Sequence, residues 1–445
     1  MKAFKAYDIR GIYNKDFDKN DVYRIGYFLS ELLNTKKILI GRDVRISSDE
    51  IFESLTKGIS DSGSDVYNIG ISTTPMVYWS TAKYNFAASV MITASHNPKE
   101  YNGLKISKAN ALPVGYDTGL SDLEKMISER EIKVSDKKGK IIDFDIKNEY
   151  INFLKNYYSD ISNLNICVDC SNGMAGLIID EILYKNINYL NKALDGTFPN
   201  HEANPLNQEN LIELKKEVKK NNYDIGVIFD GDADRVAFVD EKGEFISPDL
   251  MIAVLSKYFL KKGGEKVLQD IRTSKSVTEY IKANKGEMYM WRVGRAYAAL
   301  KLREIDGLFG GELAGHYYFR DFYYSDSGIL ACLLILKTFS DFKKQGKSVS
   351  QIINEIVKYA NSGEINFRTE NKLNAMNAVK KHFTDIEKPT AFYDFDGYRI
   401  EFNDWWFNIR PSNTEPYLRL IVEAKTQKLL DEKLSEIKKI INNFE

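Results

Sequence analysis

Four times along this chain a short apolar run stops at a charged or glycine-bearing turn and then gives way to helical periodicity. The runs are Ile38-Leu39-Ile40 before Gly41-Arg42-Asp43, Ile166-Cys167-Val168 before Asp169, Val227-Ile228-Phe229 before Asp230, and Lys266-Val267-Leu268 before Gln269-Asp270. Buried strands alternating with helices predict α/β units whose functional groups collect at the carboxyl ends of the strands. A length of 445 residues allows about three domains, with two or four tolerable. The charged stretch Ser128 to Lys140 reads as a surface connector after a first domain. From about Ala360 the character changes to extended aromatic runs such as Trp405-Trp406-Phe407. The chain then closes on an amphipathic helix with Leu430, Leu434, Ile437 and Ile441 on one face.

The third of those turns carries the most chemistry. Asp230, Asp232 and Asp234 alternate directly after the strand-like Ile225–Phe229. Three carboxylates on one loop repel one another unless a cation joins them. Hard oxygen ligands with no His or Cys nearby favour Mg²⁺ over zinc or copper. Arg235 follows and suits an anionic oxygen, so the loop pairs a divalent ion with phosphate handling. Glu241 stands at the twelfth position of an EF-hand count. Arg235, however, occupies the place of that loop's glycine, and Val236–Val239 continues as a strand. In a dehalogenase-type nucleophile loop Asp234 would be Thr or Val. A plain acidic turn would need no third aspartate.

Three further loops qualify as sites. In Thr93-Ala94-Ser95-His96-Asn97-Pro98, small neighbours and Pro98 present the Ser95 hydroxyl at a tight bend, as an exposed loop group. Gly310-Gly311-Glu312-Leu313-Ala314-Gly315-His316 offers backbone room, an acceptor and one of four histidines. Arg410-Pro411-Ser412-Asn413-Thr414-Glu415-Pro416 gathers donors for a phosphate cradle. Each alone has a plainer explanation: a helix cap at Ser95, a simple Gly-Gly turn, a surface ion pair at Arg410.

Together, in this order and spacing, the loops resemble the α-D-phosphohexomutase family, in its phosphomannomutase/phosphoglucomutase branch. The opening Phe4-Lys5-Ala6-Tyr7-Asp8-Ile9-Arg10-Gly11, Gly41-Arg42-Asp43-Val44-Arg45 and Tyr101-Asn102-Gly103-Leu104-Lys105 extend the resemblance over nearly the whole chain. It implies a heart-shaped α/β protein of four domains around a central cleft: three related mixed α/β sandwiches at 1–141, 142–244 and 245–358, and a smaller α+β domain at 359–445. It further implies a phosphoserine at Ser95, one Mg²⁺ per chain on Ser95, Asp230, Asp232 and Asp234, and a hexose 1,6-bisphosphate as intermediate and activator. Lys105 resembles the general base, with Arg10 alongside to depress its pKa by like-charge repulsion, and His316 is the second acid/base candidate. Glu312 resembles the residue that holds sugar hydroxyls. Arg410, Ser412, Asn413 and Thr414 resemble the site of the phosphate that is not reacting. Tyr7, Arg235 and Arg272 match further cleft positions. Two positions depart from the branch: Ala314 stands where Ser is usual, and Arg295, counted among the substrate-binding residues, where the His of Val-Gly-His is common and where a fixed positive charge would strengthen phosphate contact. Both put the choice between mannose and glucose phosphates in question.

The reaction implied is the interconversion of hexose 1- and 6-phosphates. The rivals are a metal-dependent sugar-phosphate phosphatase and a non-catalytic sugar-phosphate sensor; a sensor would be expected to have lost Ser95, a metal-loop aspartate or Lys105. A net charge of −1 offers no attraction to nucleic acid or membrane. The longest apolar run, Ile329 to Leu336, cannot span a bilayer, and the opening residues lack a signal-peptide core, so a cytoplasmic monomer or weak homo-oligomer is expected. Cys167 and Cys170, three apart on a strand, should face opposite ways as core thiols.

Overall fold

The computed structural model of the chain describes residues 2–183, 187–412 and 417–444. Four sheets follow one another along the sequence, each with its own helices. In the first, the strands run Ile9–Ile12, Tyr101–Lys108, Ala88–Ile92, Lys37–Arg42, Asp65–Ile71 and Ile141–Asp143 across the sheet. The last four are mutually parallel, while Tyr101–Lys108 is antiparallel to both of its neighbours. The second and third sheets repeat the scheme: a parallel core (Ile187–Leu190, Ile166–Asp169, Ile225–Phe229; then Glu287–Trp291, Lys266–Asp270, Phe309–Gly311) with antiparallel strands added on one side. The fourth sheet is wholly antiparallel, so the expected change of character at Ala360 is a change of topology. All four apolar runs that end in turns are strands of parallel cores.

The expected connector from Ser128 to Lys140 does not leave the first unit. Ser135 and Gly139 donate backbone hydrogen bonds to Asp61 and Ser60, and Ile141–Asp143 then joins the first sheet. Charge marks this stretch as surface, but returning pairing holds it to the sheet it came from. The second sheet likewise runs on to its edge strand Phe245–Ile246.

Helix Thr74–Lys83 ties three units together. Thr73 caps it by accepting from the Met76 N–H, Pro75 sits in its first turn, and every residue from Thr74 to Ala82 is buried. Buried on all sides, it works as an internal strut. Trp79 packs against Tyr150 and Phe153, and Phe153 against Phe322. The resulting core is continuous from Met76 through Val168 and Val227 to Val267 and Phe309. The fourth unit keeps a separate core, in which helix Gln427–Asn442 buries Leu430, Ile437 and Ile441, with Leu434 half-buried beside them. It meets the third unit through a Trp291–Phe395 ring stack and through polar contacts. Buried Arg399 lies 3.7 Å above the Trp406 ring and donates to the carbonyls of Ile271 and Thr273 at 2.8 and 2.7 Å, the residues flanking Arg272.

Cys167 and Cys170 pack into two different clusters, and burial raises both thiol pKa values, leaving them as unreactive core groups. Among the described residues no helix is long and apolar enough to cross a membrane.

Candidate active site

The buried strand Ile225–Phe229 delivers Asp230 at its carboxyl end, and the loop to Asp234 returns along Val236–Asp240. The loop lies directly on the serine loop. A Cβ on Gly231 would stand 2.4 Å from the Ser95 carbonyl oxygen, so only glycine allows this approach. Ser95 is held in the left-handed region (φ 53°), with its N–H donated to Thr93 Oγ1 at 2.9 Å and its Oγ donating to Asp230 Oδ2 at 2.8 Å. Buried Arg45 braces the bend by donating to the carbonyls of Ser95, Asn97, Pro98 and Tyr101 at 2.7–3.0 Å. The bend is fixed, as expected, but the hydroxyl is not exposed. Ser95 is 1% accessible because the metal loop covers it.

Asp230, Asp232 and Asp234 are fully buried, and one oxygen of each lies within 4.8 Å of the others. Burial and the charges of Asp234 and Asp232 push the Asp230 pKa well above the ordinary carboxylate range. Oδ1 of Asp232 and Oδ1 of Asp234 have no hydrogen-bond partner among the described residues. Hard donors under mutual repulsion, with unpartnered oxygens, fit a divalent cation such as Mg²⁺.

Lys105 Nζ donates to Asp232 Oδ2 at 2.6 Å and also to Asp234 Oδ2. Burial works against its ammonium form, but the two carboxylates outweigh burial and raise its pKa. The expected depression by Arg10 is overturned. Arg10 acts in that direction but is outweighed, and its own guanidinium is engaged by Asp8 and by Asn97 Oδ1.

His316 sits on the turn between Phe309–Gly311 and Tyr317–Phe319, beside Arg235. Arg235 Nε can only donate, so His316 Nε2 accepts from it at 2.8 Å, and Nδ1–H points to Asp326 Oδ2 at 2.7 Å. Burial raises the Asp326 pKa, but the His316 hydrogen bond and nearby positive charge bring it down to about 2. Both ring nitrogens of His316 are therefore engaged. Arg295 donates from Nε to the same carboxylate at 3.0 Å and from Nη2 to the Ala111 carbonyl at 3.3 Å, with its guanidinium 3.6 Å from the Tyr78 ring centroid. It lines the cavity while holding the junction of the first and third units through Asp326, Ala111 and Tyr78.

Glu312 is buried, accepting from the Gly294 N–H at 2.6 Å and from Tyr318 Oη at 3.1 Å. Gly294 has φ 119°, and a Cβ there would meet the Tyr7 ring at 2.9 Å, so glycine lets Tyr7 close this wall. Ala314 lines the same space. From the other side come Arg272, Arg410 and Arg419, with Glu364 among them. Arg272 is anchored on Asp270, and Ser412 is buried at the end of strand Trp405–Pro411. Asn413 and Thr414 lie outside the described residues.

Lys105, Asp234, Arg235, Glu312, His316 and Arg410 border one cavity of about 420 Å³, with Ser95, Asp230 and Asp232 buried behind its wall. Five residues of the arrangement carry no role in the sequence reading above: Arg45, His96, Asp326, Glu364 and Arg419. His96 follows Ser95 directly, and burial and the neighbouring Arg235 lower its pKa well below the usual histidine value. Only its place in the chain hints at it. The other four lie far in sequence from the groups they meet.

Family models for the phosphoglucomutase/phosphomannomutase α/β/α domains I, II and III match residues 1–133, 148–243 and 247–359, and that for the C-terminal domain matches 364–440. A phosphomannomutase of Methanocaldococcus jannaschii is 38% identical over 448 residues, spanning 99% of this chain and 98% of that protein. One from Escherichia coli K12 is 34% identical over 439 residues, 96% and 95% of the two chains. A solved phosphoglucomutase/phosphomannomutase family protein from Burkholderia thailandensis superposes with a TM-score of 0.87 at 26% identity, covering 99% and 97%. With four sheets in this order and their loops meeting in one cavity, the chain belongs to the phosphoglucomutase/phosphomannomutase family and is an enzyme of the isomerase class.

Proposed function

We propose that the chain interconverts the 1- and 6-phosphates of mannose, glucose or both, through a phosphoserine at Ser95 and a hexose 1,6-bisphosphate that turns without leaving. The observation that carries this reading is a single cavity lined by the groups around the buried serine, Lys105, Asp234 and Arg235, and by the arginines Arg272 and Arg410. A substrate with an anion at each end can engage both.

In the forward half-reaction the bond from Ser95 Oγ to phosphorus breaks, and the free sugar hydroxyl forms the new one and loses its proton. After the turn, Ser95 Oγ takes the other phosphoryl group and the proton returns, so no phosphate is lost overall. Ser95, through its phosphate, and the three aspartates would hold Mg²⁺, which would supply charge neutralisation at the phosphoryl oxygens. Arg235 and protonated Lys105 add fixed positive charge beside that centre.

For the base, the geometry favours His316 over Lys105. Lys105 is tied to two aspartates that raise its pKa, whereas His316 Nε2 bears a lone pair that accepts from Arg235. When Arg235 swings to a phosphoryl oxygen, Nε2 is uncovered while Asp326 holds the other nitrogen protonated. Glu312 offers its carboxylate to sugar hydroxyls.

A coupled assay tests the reading. Mannose 1-phosphate and glucose 1-phosphate are expected to give 6-phosphates with little inorganic phosphate. Release of inorganic phosphate at a matching rate would instead make the enzyme a phosphatase.

The separate core of the fourth unit bears on how the intermediate is retained. A unit that closes through phosphate contacts can capture a bisphosphate and still open enough for it to turn. Arg410→Ala is expected to raise KM for hexose monophosphate about ten- to a hundredfold, the loss of a charged hydrogen-bonded contact worth about 1.5–3 kcal/mol. It should also leak 1,6-bisphosphate into solution. Weaker binding with no detectable bisphosphate would mean that Arg410 anchors substrate without gating the cavity.

A further inference from the structure

Glu364 stands where the chain enters the fourth unit, between strands Ala360–Asn361 and Ile365–Arg368, with about a quarter of its side chain exposed beside the cavity. Its Oε2 lies 3.5 Å from Arg272 Nη1 and 3.9 Å from Arg410 Nη2, and its Oε1 lies 3.5 Å from Arg419 Nη1. Three guanidiniums, one from the third unit and two from the fourth, thus surround one carboxylate. These separations exceed the 2.7–2.9 Å of tight charge-assisted contacts. Arg272 also pairs with Asp270 at 2.8 Å. Burial and the charge of Arg272 depress the Arg410 pKa against the opposing pull of Asp396 and Glu364, and Arg410 Nε is buried with no hydrogen-bond partner among the described residues.

A phosphate dianion carries twice the charge and three acceptor oxygens, so it suits this cluster better than one carboxylate. It cannot enter without approaching Glu364, a like charge. We propose that Glu364 is a built-in counter-anion of the arginine cluster, which holds the three guanidiniums together before substrate arrives and keeps the affinity for the non-reacting phosphate low enough for that phosphate to let go and turn. The inference rests on the reading of Arg410 as part of a phosphate site, and adds to it the residue that moderates that site.

Calorimetric titration of the full-length protein with inorganic phosphate tests this without any turnover. Glu364→Gln keeps the size and removes the charge, and it is expected to bind inorganic phosphate roughly tenfold more tightly than the parent. Glu364→Asp keeps the charge and is expected to bind like the parent. A residue that merely supported the loop would weaken binding when replaced, so equal or weaker binding by a folded Gln variant overturns the inference, as does an Asp variant that tightens as much. Arg410→Ala separates the two levels. If it binds inorganic phosphate as well as the parent, the phosphate site itself is misplaced. If it binds more weakly while the Gln variant is not tighter, only the role of Glu364 falls.

Discussion

Replacing Ser95 with Ala is expected to lower mutase turnover by about 10⁴-fold or more while the protein still folds. In the proposed reaction Ser95 Oγ is the only group that holds the migrating phosphoryl between half-reactions, and no neighbour can take its place. Asp230 is an acceptor here, and the Thr93 hydroxyl already accepts from the Ser95 N–H. The stability cost is not negligible, because the hydroxyl is buried and supports a carboxylate. Its loss is expected to cost about 1–3 kcal/mol, a lowering of Tm that leaves a cooperative transition. Intact-mass measurement should find a phosphate adduct on part of the parent protein and none on the variant. A Ser95→Ala enzyme with a near-parent rate would end the phosphoserine mechanism.

Asp232→Asn is expected to raise the Mg²⁺ concentration needed for half-maximal activity by at least about tenfold. The amide is the same size, so the loop should survive, but one of three ligand charges is gone. The substitution also disturbs contacts on the other side of the carboxylate, since Asp232 Oδ2 accepts from Lys105 Nζ and from Thr74 Oγ1. With one of its two carboxylate partners neutralised, Lys105 should hold its proton less firmly. The measurement is a Mg²⁺ titration after chelation, on parent and variant together. If the parent keeps full activity in excess chelator, the three aspartates are not a catalytic cation site.

Much of the site was legible because its groups lie on short loops at strand ends. The alternation of carboxylates in Asp230–Asp234 follows from a strand stopping at Phe229, and the same topology places Asp270, Arg272 and the Gly310–His316 turn at corresponding ends of the third sheet. What the sequence misjudged was environment. Ser95 was expected to be exposed and is covered by a loop 135 residues away. Arg10 was expected to lower the Lys105 pKa, yet two aspartates from another unit raise it. Each error concerns a group whose partners come from a distant segment.

Local periodicity, turn chemistry and motif order determined by themselves that this chain is a multi-unit α/β protein with a carboxylate loop, a serine loop and an arginine-bearing C-terminal loop. These signals depend on neighbours within a few residues. The tertiary structure alone decided that helix Thr74–Lys83 joins the first unit to a core shared by the second and third, that the first and fourth also keep cores of their own, that Gly231 brings the aspartate loop onto Ser95, and that Glu364 sits among three arginines. The physical reason is that burial and Coulomb interaction depend on distance in space. Proton affinities and ion pairing at the site are therefore set by residues that only folding brings within about 4 Å of one another.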